Sequence, residues 1–164
     1  MTESEKGPYP GEPMPRSGVR GFSPAALRKA RADAELRADE LARLIGVTRQ
    51  AVTSWENGRS RPSPVTLLAL SKALRVPTAD LAPIREIDLR ISDLRSQAGL
   101  TQADVARALG VSTTVIGDLE RGFRPVDMGQ ADVVAELYQV APARVHTIWQ
   151  QTYDAVTTRL GSRK

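Results

Sequence analysis

The chain has 164 residues, enough for one domain or two small ones, and carries 23 basic against 19 acidic residues. It contains no cysteine, which excludes a disulfide framework and a thiolate metal site. No apolar stretch approaches the roughly 20 residues that a membrane-spanning helix needs. We therefore expect a cytoplasmic protein with no membrane partner.

The N-terminal segment, "MTESEKGPYPGEPMPRSGVRG", interleaves prolines with glycines. It lacks the apolar core of a secretory signal, and it cannot bury enough apolar surface to offset the entropy of ordering the chain. The sequence therefore predicts a disordered tail over residues 1–22.

Positive charge is concentrated in the middle of the chain. Residues 1–22 hold three basic and three acidic side chains, residues 23–82 hold ten and six, and residues 83–164 hold ten and ten. The whole net charge of +4 thus lies in residues 23–82, which favours a polyanionic partner for that block.

The two halves of the chain repeat one another. A shift of 64 residues places "LRKARADAEL" (27–36) on "ISDLRSQAGL" (91–100) without a gap. The same shift pairs Gly46 with Gly110, Val52 with Ile116, and Glu56 with Glu120. The sequence therefore predicts two copies of one unit, which we call the first repeat (residues 23–82) and the second repeat (residues 83–164).

Apolar residues recur at helical spacing in both repeats, and no stretch shows the alternation of a strand. Helix starts are predicted at capping residues or first-turn prolines, namely Ser23, Ser63, Thr101, Ser112, Asp127 and near Pro142. The fold class that follows is all-α.

A glycine separates two short helices in each repeat. Gly46 and Gly110 stand where one helix ends and favour the left-handed conformation of a turn. Thr48 and Ser112 follow two residues later and cap the next helix. Each repeat therefore contains a helix, a tight turn and a second helix.

The stretches "LARLIGVTRQAVTSWENGRSRP" (41–62) and "GLTQADVARALGVSTTVIGDLERGFRP" (99–125) resemble the helix-turn-helix domains of Cro-like and phage-repressor-like regulators, the xenobiotic-response-element (XRE) family. The resemblance covers residues 23–82 and 87–146. It implies two tandem five-helix, lambda-repressor-like bundles, each inserting its third helix into the major groove of double-stranded DNA. Those third helices would span Arg49 to Glu56 and Thr113 to Glu120.

The resemblance also implies roles for side chains of the first repeat. Base contacts fall to Arg49, Gln50, Thr53 and Ser54, since arginine can bind guanine and glutamine can bind adenine through paired hydrogen bonds. Phosphate contacts fall to Arg59 and Arg61, and Arg37 replaces the usual cap of the second helix and can take over its phosphate contact. The alternative is that Arg49 and Gln50 are merely exposed helical residues.

Two further pairs have structural roles in the family. Arg31 with Glu56, and Arg95 with Glu120, occupy positions that form a partly buried ion pair between the first and third helices. We therefore exclude these four residues from the predicted DNA contacts.

The second repeat departs from the family at its third helix. It has Gly117 and Asp118 where the first repeat has Thr53 and Ser54, and a carboxylate facing phosphates is unfavourable unless it accepts from cytosine. The second repeat is predicted either to bind DNA weakly, or to serve as a docking or dimerisation module. The residues for weak DNA contact are Gln102, Thr113, Thr114 and Arg124.

The C-terminal segment carries an apolar stripe longer than the family's fifth helix needs. Its members are Val145, Ile148, Trp149, Tyr153, Val156 and Leu160. We expect half of the stripe to complete the second core. The other half either extends that core or forms a contact surface for a homodimer or a partner protein.

The sequence shows no nucleophile with a base partner, no phosphate-binding loop and no metal-ligand spacing, so we expect neither an enzyme nor a cofactor. It predicts a sequence-specific DNA-binding transcriptional regulator, acting as a repressor and reading DNA mainly through the first repeat. The competing hypothesis is a protein-interaction module, such as an antitoxin or anti-regulator, that sequesters a partner protein.

Overall fold

A computed structural model describes residues 18–162. The first repeat contains α1 (Pro24–Asp33), α2 (Ala38–Ile45), α3 (Arg49–Glu56), α4 (Pro64–Leu74) and α5 (Thr78–Leu81). The second repeat contains α6 (Ile91–Gln97), α7 (Gln102–Leu109), α8 (Thr113–Glu120), α9 (Met128–Tyr138) and α10 (Pro142–Gly161). A short 3₁₀ turn, Glu86–Asp88, lies between them, and no strand occurs between residues 18 and 162. The predicted all-α fold is confirmed.

Helix starts follow the local chemistry of their caps. The side chains of the cap residues accept a hydrogen bond from the backbone N–H three residues later, which satisfies a donor that the helix itself leaves unpaired. This geometry occurs at Ser23, Thr48, Ser63, Thr101, Ser112 and Asp127.

Helix α2 begins without such a cap, as its sequence predicts. Arg37 makes no capping bond with its side chain, but its backbone N–H donates to Glu40 Oε2 at 2.7 Å. One of the two bonds of a capping box is therefore kept, because the second bond needs only a carboxylate three residues into the helix.

The tight turns of the two helix-turn-helix units depend on glycine. Gly46 has φ = 72° and Gly110 has φ = 66°, the left-handed region that other residues reach only at a cost. Each glycine ends its helix and allows the next helix to start three residues later.

Each repeat has its own hydrophobic core. In the first, Leu27, Leu41, Val52, Leu67 and Leu70 are fully buried beside Trp55. In the second, Ile91, Val105, Ile116, Val134 and Val145 surround Trp149. No helix of the described part of the chain is long and apolar enough to cross a bilayer.

The start of the described chain differs from the sequence-based prediction. Residues 1–17 of the predicted tail lie outside the described range, but Val19 and Phe22 belong to the first core. The Val19 N–H also donates to the Pro62 carbonyl oxygen at 3.0 Å. The last residues of the segment 1–22 are therefore packed, because Val19 and Phe22 bury their apolar side chains in the first core.

The two repeats touch through α4 and α6. Gly99, at φ = 75°, lies against Leu68 so closely that a Cβ on Gly99 would come within 2.6 Å of Leu68 Cδ2. Beside this contact, Arg20 Nε donates to Asp93 Oδ1 at 2.9 Å. A residue preceding the first repeat thus binds the first helix of the second.

Candidate nucleic-acid interface

The exposed side of α3 gathers most of the predicted base-reading side chains. Arg49, Gln50, Thr53, Ser54 and Arg59 line one shallow concavity on the surface. Val52 and Trp55, which alternate with them along the helix, are buried in the core. The helical period therefore separates a hydrogen-bonding side from a packing side.

Local hydrogen bonds orient two members of this concavity. The Thr53 hydroxyl donates to the Arg49 carbonyl oxygen at 3.0 Å, and the hydroxyls of Ser54 and Ser60 lie 2.7 Å apart. Arg49 and Gln50 are exposed and make no side-chain hydrogen bond within the described residues. Their donors and acceptors are free for an incoming ligand.

The three predicted phosphate-binding arginines of the first repeat have different surroundings. Arg59 joins the concavity, whereas Arg61 is half-buried beneath Gly18. Arg37 lies 3.4 Å from Asp39 and 3.5 Å from Glu40 while staying largely exposed. These weak surface pairs leave the guanidinium accessible.

The ion pairs that the resemblance implied are present in both repeats. Arg31 Nε donates to Glu56 Oε1, and Arg95 Nε donates to Glu120 Oε1, each at 2.6 Å. The Glu56 hydrogen bond raises the pKa of Arg31 above its ordinary value. Both pairs hold the first helix of a repeat to its third, which fixes how the third helix presents its exposed side.

The third helix of the second repeat is partly covered by its own neighbours. Arg121 donates to Asp118 Oδ1 at 2.7 Å, and its guanidinium lies over Gly117 and 5.6 Å from the centre of the Phe123 ring. The Asp118 carboxylate is therefore neutralised by an arginine from the following loop. Thr113 and Thr114, at the start of α8, remain exposed.

The other two predicted contacts of the second repeat differ in accessibility. Gln102 donates through Nε2 to Glu120 Oε2 at 2.8 Å, so its amide is held against the ion pair of α6 and α8. Arg124 is exposed, and its backbone carbonyl accepts from Trp149 Nε1 at 3.2 Å. This loop is thereby anchored to α10.

Helix α10 divides the C-terminal apolar stripe as the sequence suggested. Val145, Ile148 and Trp149 are buried in the second core. Tyr153 and Val156 are half-buried, and Leu160 is 55% exposed. The first half of the stripe completes the core, and the second half leaves apolar surface uncovered.

Sequence reasoning missed Arg20, Ser60 and Arg121. Arg121 lies three residues after Asp118, a helical spacing that brings opposite charges together, so the pattern could have identified that pair. Arg20 reaches Asp93 across 73 residues of chain, and no local pattern indicates such a contact.

Comparison with known protein families settles what these units are. A family model described as helix-turn-helix matches residues 27–81, and a second, described as a helix-turn-helix domain, matches residues 89–148. The chain carries two XRE-type helix-turn-helix domains in tandem. Searches of curated proteins and of solved structures found no match.

Tandem helix-turn-helix domains define the general activity of the chain. It is a DNA-binding regulator, and the families to which its domains belong are typically non-enzymatic. The concavity on α3 and the exposed start of α8 are the corresponding surfaces of the two domains, since a shift of 64 residues relates Arg49 to Thr113 and Gln50 to Thr114.

Proposed function

We propose that this protein is a sequence-specific transcriptional repressor that reads the major groove of double-stranded DNA mainly with α3. The observation that carries the proposal is the grouping of Arg49, Gln50, Thr53, Ser54 and Arg59 around one concavity. Arginine and glutamine there offer paired hydrogen bonds to guanine and adenine, each worth about 1–3 kcal/mol of discrimination.

Phosphate contacts position α3 in this proposal. Arg59 borders the concavity, Arg61 lies in the same loop, and Arg37 stands at the start of α2. These three cations surround the helix and contribute affinity without sequence preference.

The second repeat makes auxiliary DNA contacts in this proposal. The side chains of Thr113, Thr114 and Arg124 are exposed and can make these contacts. Gln102 and Asp118 are already bonded to Glu120 and Arg121, so base readout by α8 is limited to its first turn.

A second candidate function rests on the C-terminal half of α10. Leu160 is 55% exposed, with Val156 half-buried one turn earlier. Such a surface suits a second copy of the chain or a partner protein. Regulation through this surface is compatible with repression, because its residues are separate from those that line the concavity on α3.

The proposal is tested by selecting random duplex DNA on the full-length chain at about 0.15 M salt, where non-specific phosphate binding is weakened. We expect an enriched sequence, and we expect Arg49→Ala combined with Gln50→Ala to lower affinity for it by roughly 10- to 100-fold or more. The matched control is Thr113→Ala combined with Thr114→Ala, which should cost much less.

Repression is then tested by placing the selected sequence across a promoter and measuring transcription in vitro. Transcription should fall with added protein and recover with the Arg49→Ala, Gln50→Ala variant. Absence of any enriched sequence would contradict DNA-sequence reading, and higher transcription would contradict repression.

A further inference from the structure

An open groove lies on the second repeat, beside the residues that precede the first repeat. One end is formed by Arg20 and Gly21, its floor by the connection from Pro83 to Ser92, and its far wall by the end of α8 and the loop after it. The last turns of α10, from Gln151 to Arg159, close the remaining side. These four segments of the chain face one space, and of the predicted DNA contacts only Gln102 lines it.

Basic side chains dominate this groove. Five arginines line it against two carboxylates, Asp88 and Glu120. The five are Arg20, Arg85, Arg90, Arg121 and Arg159. The second repeat has no net charge by sequence count, but its fold collects cations on this side.

The five arginines differ in whether they already bind a carboxylate. Three of them bind carboxylates: Arg20 binds Asp93, Arg85 binds Asp88 and Arg121 binds Asp118. Arg90 and Arg159 are exposed and have no ion-pair partner among the residues that the structure describes. Glu120 is itself occupied by Arg95 and Gln102, so it adds little free negative charge.

The groove adjoins the third helix of the second repeat. At one end its wall includes Gln102, Gly117 and Arg121, which flank the exposed side of α8. At the other end Arg20 follows Val19, whose backbone is hydrogen-bonded to Pro62, the neighbour of Arg61. The groove therefore adjoins α8, and the segment Val19–Arg20 connects it along the chain to the loop after α3.

We propose that this groove binds the phosphate backbone of the duplex beside α8. The inference rests on the proposed DNA-binding function and adds a third contact surface to it. Guanidinium groups bind phosphate oxygens through paired, charge-assisted hydrogen bonds, and such contacts carry no sequence information. The groove thus raises affinity without adding sequence preference.

Two exposed apolar side chains at the groove are weaker evidence for a protein partner than the arginines are for a polyanion. Ile87 is 85% exposed and Phe123 is 54% exposed, but Phe123 lies under the Arg121 guanidinium and Ile87 has arginines on both sides in the sequence, Arg85 and Arg90. The excess of arginine over carboxylate is the more consistent feature, and it matches a polyanion.

The test compares two charge-matched double variants of the full-length chain. Arg90→Gln with Arg159→Gln removes the two unpaired groove cations. Lys72→Gln with Arg75→Gln removes two exposed cations at the end of α4, outside the groove. Position 75 tolerates glutamine because the equivalent residue, Gln139, has the same left-handed conformation.

Affinity for the selected duplex is measured from about 50 to 200 mM salt. Each lost phosphate contact lowers the log–log salt slope by about 0.9. The groove variant should therefore lose about 1.8 from the slope, so its affinity falls roughly tenfold less over this range than that of the wild type. The enriched sequence should stay the same, and the Lys72, Arg75 variant should match the wild type.

The outcomes separate this inference from the proposed function. A wild-type chain with no sequence-selective binding overturns the proposed function, and this inference with it. Selective binding with an unchanged slope in the groove variant overturns only the phosphate-binding groove, and would assign this surface to a protein partner instead. An equal loss of slope in both variants would also overturn it, because the effect would then reflect net charge alone.

Discussion

Single residues explain why the third helices of the two repeats differ. Thr53 of α3 is exposed, whereas its counterpart Gly117 is covered by the Arg121 guanidinium. Glycine inside a helix costs about 1 kcal/mol relative to alanine. Helix α8 of the second repeat is therefore less stable at this position. Its carboxylate at position 118 is paired with Arg121.

We expect Gly117→Ala to stabilise the protein. The new Cβ would lie 3.5 Å from Arg121 Nη2, an ordinary contact with the end of a flexible side chain, so the gain in helix propensity of about 0.5–1 kcal/mol should appear in the free energy of unfolding. Chemical denaturation measures it. The control is Gly122→Ala, at φ = 76° and with its Cβ 2.6 Å from the Thr152 carbonyl oxygen, which should destabilise. Destabilisation by Gly117→Ala would show that α8 needs glycine for packing.

The caps of α2 and α7 show how local hydrogen bonds fix the start of a helix. At α7, the Thr101 N–H and hydroxyl both donate to Asp104 Oδ2, at 2.8 and 2.6 Å, and Thr101 accepts in return from the Asp104 N–H. The Thr101 bonds hold the pKa of Asp104 below its ordinary value. Helix α2 keeps only the Arg37 N–H to Glu40 bond, so its start is less firmly fixed.

The capping of α7 predicts a pH-dependent effect of Asp104→Asn. Because the pKa of Asp104 is lower in the folded state, its ionised form stabilises the fold fully above the unfolded pKa of about 3.9. That stability is lost as pH falls through the folded pKa. Unfolding free energies should therefore be lower for Asp104→Asn at pH 7 and converge with the wild type as pH drops below about 4.

Asp132→Asn is the control for that series. Asp132 is exposed on α9 and its side chain makes no hydrogen bond within the described chain, so we expect little change at any pH. A difference between Asp104→Asn and the wild type that stays constant from pH 7 to 3 would mean that the charge of Asp104 contributes nothing to the cap.

The contact between the two repeats determines whether they unfold as one cooperative unit. Leu68 of α4 packs on Gly99, and Gln97 Nε2 lies 3.5 Å from the Ala82 carbonyl oxygen. The equivalent positions on the free surfaces carry Asp132 in place of Leu68 and Glu35 in place of Gly99. Two facing carboxylates would repel one another, which disfavours repetition of the same contact into an open assembly.

We expect Leu68→Asp to uncouple the two repeats, because it introduces at α4 the residue that the second repeat has at position 132. A carboxylate at position 68 loses the apolar contact with Gly99 and is better hydrated when the interface opens. Each repeat contains one buried tryptophan, Trp55 or Trp149. Fluorescence of Trp55→Phe and Trp149→Phe versions therefore follows each repeat separately during thermal unfolding.

Without Leu68→Asp, the two tryptophan reporters should give coincident transitions. With it, their midpoints should separate by several degrees, and Leu68→Met should leave them together as the size-matched apolar control. Coincident midpoints in the Leu68→Asp versions would show that the Arg20 to Asp93 ion pair and the connection between the repeats suffice to couple them.

The candidate site was predictable to the extent that it is local. Helical period and the turn glycines place Arg49, Gln50, Thr53 and Ser54 on one exposed side of α3, and the structure brings them together with Arg59. Their contacts with DNA stay predictions. The occupied state of Gln102 was not predictable, because its partner Glu120 lies on another helix 18 residues away.

The helices, their caps, the left-handed turns and the internal repeat all follow from the sequence, since these features depend on the chemistry and period of neighbouring residues. Three features emerge only from the folded chain: Val19 and Phe22 join the first core, α4 packs on α6, and five arginines from distant segments share one groove. Such contacts join residues far apart in the chain, where no local pattern constrains the partner. Side-chain packing and charge therefore determine which of many possible pairs form.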